Sequence, residues 1–543
     1  MGQKRILWVR LDAIGDNLLA SSMLPHIYEK YEKPQITVVC QKHIAELYEA
    51  NPFVARVIGV EKMRLFLDPV YRGSVLQGLR DSHFDVALDS SSSWEQLADL
   101  FVVGSLAKEK IAFGNSNAIP GNVAKKRGGV YTSLIRFRDM YEPEMERHRD
   151  FLRGIGVQAP PLKAAVWTTK EDDEFADQVF EANRLAPEKT LGLFAFGRSH
   201  LRTYPLYSEA LSEICKENDF SVMAIGDGAA YGFNQVCLNE LGVHSVNLSG
   251  KTTLRQTAAL LKRCRLAVGA ETGTAHMACA VDTPNVVVMG GGHFWRFMPY
   301  SVRTSLVALP IDCYFCDWLC KHEYSHCVID LDPGVLEFAV RETLRTESEK
   351  PRLFLQPADW WKTPPGGPRW KYPDKINLEN SVQVIPVAQT RKFEHRRLTK
   401  SDLEKTHSMF KPKELPQEVV DAASASKELR KAGKIEEALK RVEKAMEDNP
   451  GFPDLMNLKG EIEIELGQLD RARATLFGII TLFPFHTDTM NNIAVIEILQ
   501  KRYDSAIGVL KRLLEVDPKN ETALSNLLFI ERELTAQKKP AVG

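Results

Sequence analysis

Residues 266–292, LAVGAETGTAHMACAVDTPNVVVMGGG, decide the fold of this chain. An apolar run, 266–268, ends in a small-residue turn at 269–274. A short helical pattern follows, then Thr283-Pro284 and a second apolar run, 285–289, closed by three glycines. The order reads strand, loop, helix, strand, Gly-rich loop, which is a parallel βαβ unit. Such a unit opens its ligand crevice at the carboxyl ends of its strands, and unpaired N–H groups at the helix start favour a phosphate. An anion site is therefore expected at 272–276, although the unit alone does not separate a kinase from a dehydrogenase or a transferase.

The stretch has company upstream. Residues 6–11 form a β-like apolar run, and the following DAIGDNLLASSMLPHIYEKY carries Leu18, Leu19, Met23, Leu24 and Ile27 on one helical face. Gly15 and Asp16 lie in the turn between them, so Asp16 is expected at a helix N-terminus and a strand's carboxyl end, either as a cap or as a chemical group. Further β-like runs at 36–40, 57–60 and 86–88 alternate with helical stretches, as in a parallel α/β sheet. A first domain over 1–160 closes at Gly154-Ile155-Gly156 and Pro160-Pro161.

A second α/β half, 161–350, begins near Val166. It contains a helical stretch at 171–184, a strand at 190–196, a helix from about Ser208, and a strand at 220–225 ending in Gly226-Asp227-Gly228. Arg198 and Arg202 follow the 190–196 strand at the sheet's carboxyl edge. They are placed either to meet a diphosphate or as solvated loop residues. Ser249-Gly250-Lys251-Thr252 imitates the end of a P-loop, but position 245 is Ser where that loop needs Gly, so the segment is a helix start leading to Leu254, Ala258 and Leu261.

Composition narrows the class. The 543 residues, 44% hydrophobic and 26% charged, suit three or four globular domains, and a formal net charge of −1 offers nothing to bulk nucleic acid. No run approaches the roughly 18 apolar residues of a membrane span, and the first residues have too short an apolar run for a signal peptide. A cytoplasmic protein is expected. Cys40, Cys215, Cys237, Cys264 and Cys279 are scattered and read as reduced core residues. Cys313, Cys316, Cys320 and Cys327 cluster within fifteen positions: a structural zinc or iron, reduced packing residues or a disulfide all fit, and four thiolates would leave a metal no open position for substrate.

Residues 351–415 turn to Pro, Trp and charge and read as a linker or an irregular wrap, with a basic patch for anionic headgroups as the alternative. The remainder, 416–535, repeats at 34 residues: Gly433, Gly467 and Lys501; Ala438, Ala472 and Ala506; Pro450, Pro484 and Pro518. That period resembles tetratricopeptide repeats, stacked helix pairs whose usual consequence is a protein partner or self-association.

RLDAIGDNLLASSMLPHI resembles the amino-terminal signature of the glycosyltransferase family that contains the ADP-heptose:lipopolysaccharide heptosyltransferases. LSGKTTLRQTAALLKRCRLAVGAETGTAHMACAVDTPNVVVMGG resembles its carboxyl-terminal signature. The resemblance covers roughly 1–345 and implies an α/β GT-B fold of two Rossmann-like domains, acceptor on the first and nucleotide sugar on the second, followed here by the all-α repeats. Carried over, Asp16 matches the proposed general base, Arg202 a basic position at the donor phosphates, and Thr272, Gly273, Thr274 and His276 the pyrophosphate turn. No catalytic metal is implied. The family usually has Asp-Thr-Gly in that turn, whereas this chain has Glu271-Thr272-Gly273, which leaves the sugar open.

The expected activity is inverting transfer of a sugar, heptose from ADP-heptose by family membership, to a lipopolysaccharide-core or related surface glycan. The work would be done in the cytoplasm, peripheral to the inner membrane. The four cysteines and the repeats also suit a branch that modifies proteins, with the repeats docking the acceptor. A scaffold that has lost activity is the remaining alternative, and it predicts damage at Asp16 or His276, both of which are present.

Overall fold

The structure, a computed structural model, describes residues 3–93, 95–114, 127–137, 142–158, 162–197, 200–311, 313–316, 318, 320, 325–356, 382–387, 417–448, 453–482, 486–517 and 520–537. Two compact units divide the chain: Met1–Val60 with Val75–Phe410, and Glu61–Ser74 with Lys411–Gly543.

The first unit holds two parallel sheets. In the first, β1 (Arg5–Arg10), β2 (Gln35–Gln41), β3 (Arg56–Val60), β4 (Val86–Asp89), β5 (Glu109–Phe113) and β6 (Ser133–Ile135) lie in the order β3-β2-β1-β4-β5-β6. Ile6, Leu7, Trp8 and Val9 of β1 are all fully buried, because helices cover both faces of a parallel sheet and leave a central strand no polar side. In the second, β7 (Thr190–Phe194), β8 (Ser221–Ala224), β9 (Ser245–Asn247), β10 (Leu266–Ala270), β11 (Asn285–Met289), β12 (Thr304–Ala308), β13 (Arg352–Leu355) and β14 (Gln383–Pro386) lie in the order β14-β13-β12-β11-β10-β7-β8-β9.

Both orders reverse direction once. The reversal falls between β1 and β4 in the first sheet and between β7 and β10 in the second, so each half opens its crevice at those neighbouring strands' carboxyl ends. This is the GT-B architecture that the sequence resemblance implied. The opening stretch folds as read: β10, the helix Gly273–Ala280 and β11, with β10 in register against β7 and β11.

The two halves of this unit touch through short, close contacts. A Cβ on Gly15 would lie 2.7 Å from His276 Cδ2, and one on Gly273 would lie 3.0 Å from Ile14 Cγ2, so the starts of the helices Ile14–Ser21 and Gly273–Ala280 abut. On another face, Glu46 accepts from the backbone N–H groups of Leu254 (2.9 Å) and Arg255 (3.4 Å), placing a carboxylate at the positive end of the helix Leu254–Arg263. Arg255 adds a 2.8 Å hydrogen bond to the Glu46 carbonyl oxygen and a 3.2 Å ion pair to Glu49.

One expectation needs correction. The stretch 351–415, read as a linker or irregular wrap, contributes β13 and β14, which extend the second sheet at its edge. Each strand is only four residues long and no helical periodicity surrounds it, so Pro, Trp and charge masked the two short apolar runs. The basic run at 391–400 lies outside the described residues.

The second unit is helical, with Gln417–Lys431, Ile435–Asp448, Pro453–Glu465, Leu469–Leu482, Thr487–Leu499, Tyr503–Val516 and Glu521–Gln537 among its elements. Ala438, Ala472 and Ala506, the small residues of the 34-residue period, are fully buried, because only a methyl fits where paired helices touch. Gly433, Gly467 and Lys501 close the first helix of each pair with φ of 74°, 70° and 57°. The third repeat therefore places a lysine where the other two use glycine for a left-handed turn. The prolines of the period lie outside the described residues. Among the described residues no helix is long and apolar enough to cross a membrane.

Candidate active site

At the first switch point, β1 ends in Arg10, Leu11 and Asp12 and feeds the helix Ile14–Ser21, which carries Asp16 in its first turn. Asp16 gives the backbone no side-chain cap, so the cap reading fails and its carboxylate is left for other work. The surroundings are strongly charged. Arg10, fully buried, pairs with Asp12 at 2.5 Å and donates to the Asp16 carbonyl oxygen at 3.1 Å and to Ser90 Oγ at 3.2 Å. Asn17 donates to Asp12 Oδ1 at 2.9 Å, which fixes that carboxylate in place. Burial, followed by the like charges of Asp12 and Glu144, pushes the Asp16 carboxyl up to about 7, with Arg10 and Arg296 pulling the other way.

At the second switch point, β10 ends at Ala270 and the turn Glu271-Thr272 leads into the helix Gly273–Ala280. Glu271 and His276 are each 6% exposed, yet Glu271 Oε2, Thr272 Oγ1 and His276 Nδ1 are buried atoms with no hydrogen-bond partner. Three such atoms in six residues are unusual in a core, where unpaired polar groups cost about 1–3 kcal/mol each, and their natural resolution is a polar ligand. Burial lowers the His276 ring to about 4, so it is neutral at physiological pH. Burial raises the Glu271 carboxyl, opposed by the nearby Arg202 and His293.

Arg202 arrives on the loop after β7. That loop folds tightly: Gly197 N donates to Thr203 Oγ1 at 3.0 Å, and a Cβ on Gly197 would lie 2.4 Å from the Arg202 carbonyl oxygen. The Arg202 guanidinium stacks 4.4 Å over the Trp318 ring, which holds its plane. Arg198 lies outside the described residues.

The three glycines that close the opening stretch have a packing role. Cβ atoms on Gly290, Gly291 and Gly292 would stand 2.5 Å from Trp318 Cη2, 2.1 Å from Tyr314 Cδ1 and 2.3 Å from Trp318 Cδ2. They make room for two aromatic rings, and one of those rings carries Arg202.

Of the residues singled out in the sequence, Asp16 and His276 lie on helix starts that the fold brings into contact across Gly15, with Glu271, Thr272, Gly273 and Thr274 on the same donor-half turn and Arg202 near Glu271. Arg10, Asp12, Glu144, His293, Arg296 and Trp318, which neighbour these residues, were not singled out in the sequence. Of these, Asp12 alone had a local signal, as a second acid at the same strand end.

Cys327 is buried and its Sγ accepts from Gly291 N at 3.4 Å. Burial raises its thiol, and the proximity of Cys313, Cys316 and Cys320 raises it further. Among the described residues no group of three or more His, Cys, Asp or Glu side chains is arranged to hold a metal ion. The five scattered cysteines are buried.

Residues 72–321 match the model of glycosyltransferase family 9 (heptosyltransferase), and residues 429–488 match a tetratricopeptide repeat. The lipopolysaccharide core heptosyltransferase OpsX of Haemophilus influenzae is 24% identical over 323 residues, 56% of this chain and 84% of that protein. The lipooligosaccharide heptosyltransferase 2 of Haemophilus ducreyi is 24% identical over 302 residues, 52% of this chain and 82% of that protein. Among solved structures, a family 9 glycosyltransferase from Veillonella parvula aligns with a TM-score of 0.49 at 15% identity, covering 56% of this chain and 85% of the other. Residues 72–321, which include the second switch point, thus form a domain similar to glycosyltransferase family 9 (heptosyltransferase), with a tetratricopeptide repeat match behind it.

Proposed function

We propose that this enzyme moves heptose from ADP-heptose to a hydroxyl of a lipopolysaccharide-core or related surface glycan, with inversion at the anomeric carbon. The observation that supports it is the meeting of two different sites: a carboxyl held near neutrality at the turn of Asp16, and a turn of unpartnered polar atoms at Glu271, Thr272 and His276 that abuts it.

The acceptor oxygen attacks the anomeric carbon from the face opposite the diphosphate. Its proton passes to the Asp16 carboxylate, and the bond to the ADP oxygen breaks with its electron pair. A base whose pKa lies near 7 is matched to this work at neutral pH. Arg202 and the first-turn N–H groups of the helix Gly273–Ala280, at Gly273 and Thr274, offer positive potential to the departing diphosphate. Neutral His276 and the Glu271 carboxyl are suited to donor hydroxyls. The mechanism uses no catalytic metal, because these groups carry the leaving charge. It operates in the cytoplasm at the inner membrane surface, where acceptor and nucleotide sugar meet.

A thermal-shift panel of ADP-, GDP- and UDP-sugars tests the donor. A ligand at about 100 times its Kd adds roughly 2.7 kcal/mol, and ADP-heptose is expected to give that shift where GDP- and UDP-sugars do not. Stabilisation by another nucleotide alone would reassign the donor, and none by any would count against the enzyme as a nucleotide-sugar transferase.

The repeats favour a second reading, in which they dock a protein acceptor at the same chemistry. As a separate element of the proposal, Cys313, Cys316, Cys320 and Cys327 would close around a structural zinc or iron. Metal analysis of the purified chain is expected to find one equivalent, lost in Cys316→Ser; metal-free wild type that melts unchanged would remove it.

A further inference from the structure

The loop after β11 sends one side chain from the donor half into the acceptor half. Arg296 Nη2 donates to Ser92 Oγ at 2.9 Å and to Ser93 Oγ at 2.7 Å, and Nε donates to Glu144 Oε2 at 3.3 Å. The main chain joins in, with Glu144 N donating to the Arg296 carbonyl oxygen at 2.7 Å. Ser92 and Ser93 follow β4 at the switch point where Asp16 sits, and Glu144 opens the helix Glu144–Gly154. The seat is built. Ser92 and Glu144 are each 3% exposed, Ser92 Oγ donates to Glu144 Oε1 at 2.6 Å, and Arg147 donates to Ser92 Oγ at 3.0 Å. Burial alone would raise the Glu144 carboxyl, but Arg296 first, with His148, Arg147 and the Ser92 hydrogen bond, brings it down to about 2, so the seat stays anionic.

The charges facing Asp16 come from every element around it. Arg10 lies on β1 and Asp12 just after it, Glu144 on its helix, Arg296 on the donor-side loop, and the His276 ring on the donor helix lies against Gly15. Arg10 is already committed to Asp12. Arg296 is therefore the cation that the other half supplies against Glu144, one of the two acids that face Asp16.

We propose that Arg296 is a positioning residue that clasps the donor-side loop onto the acceptor half and completes the charge balance around Asp16, so that the base is ready when the two halves are engaged. This rests on the reading of Asp16 as the base. Withdrawing the cation leaves Asp16 facing Asp12 and Glu144 with Arg10 alone, which makes it hold its proton to higher pH. That change falls on the acid limb of the rate profile, and a loss of packing does not reproduce it.

The test is the pH profile of kcat/KM for transfer by the full chain in Arg296→Gln, Arg296→Lys and Asp16→Asn, with melting curves for each. Arg296→Gln is expected to move the acid limb up by about 0.3 pH unit, so that the rate falls about twofold at pH 6 and little at pH 8.5, while Arg296→Lys stays close to wild type. If Arg296→Gln fails to fold, the paired Ser92→Ala and Ser93→Ala variant, which unseats the guanidinium, carries the same expectation. An acid limb unmoved in these variants, with Asp16→Asn inactive, overturns the clasp and leaves the base standing. Full activity in Asp16→Asn overturns the base itself.

Discussion

Asp16→Asn is expected to cut transfer by about 10²–10⁴-fold while making the protein more stable at alkaline pH. The two effects share one cause. The Asp16 carboxyl is raised from 3.8 to about 7 by burial and by its acidic neighbours. A group whose pKa is higher folded than unfolded contributes stability that is fully present below the unfolded value, about pH 4, and is lost as pH rises through 7. Above pH 7 the native state carries an ionised carboxylate that it resists. A shift of that size corresponds to about 4 kcal/mol at 1.36 kcal/mol per pH unit, and water at the crevice mouth reduces it to the order of 1–3. Asparagine keeps the shape without the charge. Denaturant unfolding should therefore show the variant ahead of wild type at pH 8.5 and close to it at pH 4.5, whereas a variant destabilised at both would refute the charge argument.

Gly269→Ala is expected to cost about 3 kcal/mol and to weaken donor binding with it. Gly269 lies in β10 directly beside Phe194 of β7, and an added Cβ would fall 2.3 Å from the Phe194 carbonyl oxygen and 2.2 Å from its ring. A backbone carbonyl in a sheet ladder cannot swing aside, so the strand itself must move. Glu271 and the donor turn begin two residues later and would move with it. Gly232→Ala is the control, since nothing lies within 4 Å of its added methyl and alanine suits a helix better than glycine by about 0.5–1 kcal/mol. Unfolding curves and an ADP titration on both variants separate a local clash from a general intolerance of substitution.

The two strand–turn–helix units were legible because each is written in contiguous residues, where an apolar run, a small-residue turn and a helical period sit side by side. Asp16 and residues 271–276 followed from that, and so did the parallel sheets. The contact between them was not legible from either segment, because it depends on Gly15 leaving room for the His276 ring. Arg296 gave no signal at all: its partners Glu144 and Ser92 lie 152 and 204 positions away, and an arginine in a loop has no period. The glycines at 290–292 were visible, but their reason was not, since it lies in Tyr314 and Trp318. β13 and β14 were hidden for a different reason. Four-residue edge strands carry too few residues to show a pattern, and Pro386 ends the second of them.

The central claim is that the turns at Asp16 and at Glu271–His276 form one transferase site for ADP-heptose. The most direct test follows ADP release from ADP-heptose by the full chain, with and without a heptose-deficient lipopolysaccharide core, and reads the anomeric configuration of the product by NMR. The account predicts ADP release that depends on the glycan acceptor and a heptose joined with inverted configuration. Donor binding with no acceptor-dependent release, or a product of retained configuration, would contradict it.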